Sequence, residues 1–139
     1  MTRLISSDLD PRQRYNLLTN IVIPRPIALV TTVDKAGGRN AAPFSFFNAV
    51  CGNPPTVILG INRDDPAREK DTVANIQDTG EFVVNLVAQE MLEKMTVCEV
   101  DVPAHVDELN LADIEVEPSA TVSVPRLVQT PASLECRLR

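Results

Sequence analysis

Tryptophan is absent from this chain, tyrosine occurs once, and aromatic residues make up only 4% of its 139 positions. A core without large rings has to rest on Val, Ile and Leu. Three of the four phenylalanines sit together at 44, 46 and 47, so the few flat rings available are spent at one place. Basic runs are missing too. Thirteen Lys and Arg against nineteen Asp and Glu leave a formal charge of −6 and an isoelectric point near 4.7. Nucleic acid is thereby excluded as a partner, because phosphate backbones demand clustered cations. Histidine occurs once, at 105, in an acidic stretch without a serine or cysteine at useful spacing, which argues against a catalytic triad. Cys51, Cys98 and Cys136 are odd in number and share no metal-ligand spacing. They read as reduced core thiols of a cytoplasmic protein. The carboxylates of 99–117 read as a solvated face, so no metal site is expected. No apolar run reaches membrane-spanning length, and Met1–Asp8 lacks the apolar stretch of a signal peptide.

What remains fits one domain over residues 1–139, long enough to bury about two thirds of its unfolded surface. Asp10 and Pro11 form a helix start signal, and the helix is expected to run to residue 19. Pro24 and Pro26 force extended backbone before a buried strand at Ile27–Val33. Asp34–Gly38 is a turn, Arg39–Asn48 a second strand, Gly52–Pro55 a break, and Thr56–Ile61 a third strand. Asp71 or Thr72 is expected to cap a short helix that Gly80 closes. Glu81–Val87 carries the clearest strand pattern of the chain. Helical periodicity follows over Gln89–Val97, then an acidic loop or short helix at 103–111. Strand-like pieces recur at 113–117, 120–124 and 133–138. Short strands with brief helices predict a small, mainly β barrel.

The segment Asn40-Ala-Ala-Pro-Phe-Ser-Phe-Phe-Asn48 suits neither a helix core nor an ordinary strand. Tiny residues, a proline, rings and hydroxyls in one run suit a backbone wall lying close to a flat ligand. Strict alternation would put Phe44 and Phe46 on one face and Ser45 and Phe47 on the other. Lys70-Asp71-Thr72 offers an ammonium, a hydroxyl and a helix N-terminus, a combination that suits a phosphate. It also reads as an ordinary exposed helix start. Thr31 and Thr32 could bond a ligand's ribityl or phosphate oxygens, and each taken alone reads better as bonding neighbouring backbone. Arg25, pinned between two prolines, suits a phosphate or a structural ion pair. A ring at one end and a phosphate at the other suggest a flavin mononucleotide, FMN.

These segments in this order resemble the flavin reductase-like, FMN-binding split-barrel family. The resemblance rests on Pro24–Thr32, Asn40–Asn48, Asn53–Pro55, Lys70–Thr72 with Asn75-Ile76, and Gly80–Asn85, and it continues through Val106–Leu109 and Pro125–Leu138. It implies a six-stranded antiparallel split barrel with short helices, forming a homodimer with FMN near the subunit interface. By position, Thr31 and Thr32 would lie along the ribityl chain. Ser45, Phe46, Phe47 and Asn48 would meet the isoalloxazine ring, and Lys70, Asp71 and Thr72 would hold the phosphate. The activity implied is reduction of flavin by NADH or NADPH, with reduced flavin supplied to a separate monooxygenase or other acceptor. No acid–base residue is then required, because the cofactor carries the chemistry. Two alternatives stand beside it: a non-enzymatic FMN electron carrier, and a truncated, ligand-free fragment. Members of the family continue for several more strands, so the final strand is expected to lack a partner and leave the barrel open.

Overall fold

The structure, a computed structural model, describes residues 3–63, 69–100, 102–103 and 106–139. His105 lies outside the described residues. Helix α1 (Pro11–Ile21) begins as the sequence requires. Asp10 accepts from the Gln13 N–H, and the Gln13 side chain accepts from the Asp10 N–H, so the helix opens on a reciprocal cap.

The central feature is a sheet of four antiparallel strands, in the order β2 (Arg39–Phe44), β1 (Ala28–Val33), β5 (Glu81–Leu86) and β8 (Ser133–Arg137). A hairpin of β3 (Phe47–Gly52) and β4 (Pro55–Leu59) and a two-residue ladder of β6 (Val116–Glu117) with β7 (Arg126–Leu127) complete the strands. The helices are α1, α2 (Asp71–Thr79), α3 (Leu92–Val97), preceded by a 3₁₀ turn at Gln89–Met91, and α4 (Glu108–Leu111). The architecture is that of a split barrel. Among the described residues its strands are eight short ones, where six are expected, and the four-stranded sheet does not close on itself.

β1 and β5 are buried along most of their length because both faces are covered. On one face Leu29 packs with Met91, Met95, Cys98, Leu109, Ile114 and Leu127. On the other Ala28 and Val30 pack with Phe47, Ile76, Phe82 and Val84. The second face therefore carries both α2 and the β3–β4 hairpin. Burial pushes the Cys98 thiol up to about 11, with Glu108 and Asp107 adding to the shift. The reading of all three cysteines as core thiols needs correction at Cys51, which is exposed on the part of the hairpin beyond Phe47, where every residue of β3 is exposed.

Three other expectations change. Arg39–Asn48 is two strands joined by a bend at Ser45-Phe46. Gly60 donates to the Phe46 carbonyl at 2.7 Å, and a Cβ on Gly60 would come within 3.1 Å of Phe46 Cβ. That close approach, made from a segment far along the chain, fixes the bend. The strand expected at 120–124 is absent, and the ladder lies at β7 instead. Its backbone donors are taken by carboxylates: Glu135 accepts from the Ala120 and Thr121 N–H groups, and Glu81 accepts from that of Ser123. Last, β8 is paired along its length with β5, from Glu81 opposite Arg137 to Asn85 opposite Ser133. The final strand therefore does not lack a partner.

The same carboxylates give an acid response with a definite sign. Bonds from Ser123 hold Glu81 below the usual carboxylate range, and bonds from Thr121 and Ala120 do so for Glu135. A depressed folded pKa contributes stability above the ordinary glutamate value, about 4.3, and loses it as pH falls through the folded value. Acidification is expected to release residues 120–123 first. Amide exchange at Ala120, Thr121 and Ser123 should rise while the β1–β5 amides stay protected. Simultaneous loss of both would contradict this anchoring.

Candidate flavin site

The bend at Ser45-Phe46 separates the three clustered rings. Phe44 and Phe47 both pack into the core with Val30 and Val84, and Phe46 turns to α1, its ring centroid 5.9 Å from that of Tyr15. The alternation that would pair Phe44 with Phe46 is thus overturned, since a bend resets the period-two pattern. Ser45 is half-buried and accepts from Arg25 Nε at 3.4 Å. The same guanidinium donates to the Thr19 and Val22 carbonyls, each at 2.6 Å. Arg25 therefore ties the C-terminal end of α1, where carbonyls lack helical partners and a cation is favoured, to the bend. Among the described residues it meets no carboxylate. Asn48 is exposed, and its side chain accepts from the Ala49 N–H.

At the other end of the β1–β2 ladder stands the first turn of α2. Lys70 takes the capping position with extended backbone and provides no side-chain cap. The expectation that Asp71 or Thr72 caps the helix is corrected, since both lie inside it. Gly80 closes α2 as expected, in the left-handed conformation at φ 73°. Lys70 is exposed, Asp71 half-buried and Thr72 almost wholly buried. A helix start has N–H groups without helical acceptors and the positive end of the helix dipole, and both favour an anion.

Behind that turn lies a polar cluster. Thr32 accepts from Asn75 Nδ2 at 3.0 Å. Asn40, opposite Thr32 in the ladder, has one amide atom 3.0 Å from Thr72 Oγ1. With the amide nitrogen turned the other way, it donates to Glu108 Oε1 at 3.3 Å. Glu108, only 8% exposed, also accepts from the Ala41 N–H at 3.2 Å, which covers the free edge of β2. Burial holds the Glu108 carboxyl above the usual carboxylate range. Its own N–H and that of Ala41 oppose the shift, and Asp107 and Asp71 add to it.

The structure brings Thr32 into this cluster and leaves Thr31 out. Successive strand residues face opposite ways, and Thr31 is fully buried on the Leu29 face. Its hydroxyl donates to the Pro125 carbonyl at 2.8 Å and accepts from Asn85 at 3.2 Å. Asn40, Asn75 and Glu108 were not singled out by sequence reasoning as site residues. The signal for Glu108 is a carboxylate buried beside apolar Leu109 on α4, visible only once α4 is docked.

The two ends stand at opposite ends of β2, from Asn40 to Ser45, roughly 17 Å at 3.4 Å per residue. Both α2 and the β3–β4 hairpin lie on one face of the sheet. An elongated ligand with a flat end and an anionic end fits that spacing. Among the described residues, no three His, Cys, Asp or Glu side chains are placed to hold a metal ion.

Comparison with known proteins bears on the same segments. The family profile described as "Flavin reductase like domain" matches residues 20–139. An uncharacterized protein of Aquifex aeolicus is 40% identical over 134 residues, covering 96% of this chain and 68% of that protein. The crystal structure of nitrilotriacetate monooxygenase component B from Bacillus cereus is similar at 33% identity and TM-score 0.93, covering 99% of this chain and 67% of the other. That of a Pseudomonas fluorescens 2-nitrobenzoate 2-nitroreductase is similar at 36% identity and TM-score 0.86, covering 98% and 64%. The chain spans about two thirds of the length of these proteins.

Proposed function

The chain belongs to the flavin reductase-like family, and from that premise we propose that it binds FMN and uses NADH or NADPH to reduce flavin. The observation that carries the reading is the start of α2 and the Ser45-Phe46 bend, at opposite ends of one ladder on one sheet face. Lys70, the α2 N–H groups and Thr72 would hold the phosphate, with Asp71 ordering the turn. Thr32 would face the ribityl chain, and Ser45, Phe46, Phe47 and Asn48 would form the ring end. When bound, FMN supplies the hydride-accepting ring. The protein's part is to fix the ring against the bend, exclude water, and present donors to negative charge at the ring's polar edge. No described acid–base pair faces this region, and hydride transfer requires none.

α1 and the hairpin leave Leu18, Ile21, Ile23, Val50 and Ile58 more than half exposed. The Tyr15–Phe46 contact joins that apolar surface to the ring end. Exposed apolar side chains of this kind favour association, which supports a homodimer with the ring end beside the subunit interface. The protein would work in the cytoplasm, passing reduced flavin to a monooxygenase or another acceptor. Purified protein should oxidise NADH or NADPH only with flavin added, and should sediment as a dimer. FMN binding without nicotinamide oxidation would favour an electron carrier instead.

A further inference from the structure

We propose that Glu108 is a positioning residue for the anion at the start of α2, acting through the Asn40 amide on the Thr72 hydroxyl. The inference rests on the reading of that turn as the phosphate end of the flavin site. Glu108 is a buried carboxylate that the hydride transfer does not use. Its two oxygens have distinct partners: Oε2 accepts from the Ala41 N–H, and Oε1 faces the Asn40 amide. Asn40 is itself buried, and its amide can turn either way without moving, since each orientation leaves one atom 3.0 Å from Thr72 Oγ1.

The charge on Glu108 selects between the two orientations. An ionised carboxylate only accepts, so it requires the Asn40 nitrogen. The amide oxygen then faces Thr72, and the Thr72 hydroxyl spends its proton inward, on Asn40. A protonated carboxyl can donate from Oε1 to the Asn40 oxygen while Oε2 still accepts from Ala41. The Asn40 nitrogen then donates to Thr72 and, at 3.4 Å, to Thr32. The Thr72 proton is thereby released for an anion at the helix start. Among the described residues, the ionisable groups facing Glu108 are Asp107 beside it, Asp71 from α2 and the Cys98 thiol just after α3, whose Sγ lies 3.9 Å from the Glu108 carbonyl. Arg39, the nearby cation, is engaged by Asp107 at 2.5 Å. Asp107 and Asp71 favour the protonated form, as does burial.

Glu108→Gln reproduces the protonated state at every pH, because its oxygen can face Ala41 and its nitrogen Asn40. The test is a titration of FMN and of riboflavin against wild type, Glu108→Gln and Asn40→Ala across the pH range in which the fold persists. Ionisation of the FMN phosphate is common to all three proteins and cancels in their ratios. Relative to wild type, Glu108→Gln should bind FMN equally at the acid end and roughly tenfold more tightly at the alkaline end, the worth of one hydrogen bond to a charged group. Riboflavin should bind alike throughout. In Asn40→Ala, the charge of Glu108 remains but its link to Thr72 is cut, so the pH-dependent difference should shrink. Wild-type dependence retained in Asn40→Ala would overturn the relay in favour of a plain charge effect. Equal pH profiles for wild type and Glu108→Gln would overturn the role of Glu108. If wild type itself binds FMN no better than riboflavin, the phosphate assignment fails first. The relay is also read without ligand, from the Asn40 side-chain and Thr72 amide NMR signals. These should titrate together in wild type and not in Glu108→Gln, and titration in both proteins would refute it.

Discussion

Replacing Lys70 with alanine is expected to weaken FMN binding by roughly tenfold to a hundredfold while riboflavin binding changes by less than about twofold. A hydrogen bond to a charged group is worth about 1.5–3 kcal/mol, and Lys70 places an ammonium at the start of α2. Riboflavin has no phosphate, so it should lose little. Thr72→Ala should act in the same direction, with an added structural cost from its lost bond to Asn40, and Thr72→Ser should restore most of the affinity. Flavin fluorescence titration of both ligands measures the effect. Equal losses for FMN and riboflavin would mean that these residues support the fold and do not meet phosphate.

The second large effect concerns stability. Asn85→Ala should destabilise the protein by about 3–5 kcal/mol, since each buried group left unsatisfied costs about 1–3 kcal/mol. Asn85 is fully buried on β5 and its amide joins three other strands. It donates to the Leu29 carbonyl at 3.1 Å and to Thr31 Oγ1 at 3.2 Å. It accepts from the Leu127 N–H at 3.1 Å and from Ser133 Oγ at 2.9 Å. Asn85 has no exposed surface, so bulk solvent does not reach these partners. Domains are stable by only about 5–15 kcal/mol, so the loss should be plain in a urea unfolding midpoint. Asn85→Asp keeps an acceptor for Leu127 and Ser133 and should still be strongly destabilising, because it removes the donor to Leu29 and buries a charge. A change below about 1 kcal/mol in Asn85→Ala would show that the hub adds little.

Much of this was legible in the sequence wherever local chemistry decides. Asp10-Pro11 opens α1, Gly80 ends α2, and the branched run at Ala28–Val33 is a strand buried on both faces. The order of segments was enough to reveal the family. What could not be read depends on groups brought together from afar. The Ser45-Phe46 bend is fixed by Gly60, and residues 120–123 are held by side chains of Glu81 and Glu135. Thr31 and Thr32 looked equivalent as neighbours, yet alternation sends one to the Asn85 hub and the other to the α2 cluster. The same holds for Glu108, whose carboxylate has meaning only against the edge of β2. Buried polar residues are where sequence patterns inform least, since their partners come from other elements.

The central claim is that one face of the sheet holds a flavin with its phosphate at the start of α2. Titrating purified protein with FMN and with riboflavin, following quenching of flavin fluorescence, tests it most directly. The account predicts saturable FMN binding at or below about 10 μM, near −7 kcal/mol, and riboflavin binding at least about tenfold weaker. Equal affinities for the two flavins, or no FMN binding at tens of micromolar, would contradict it.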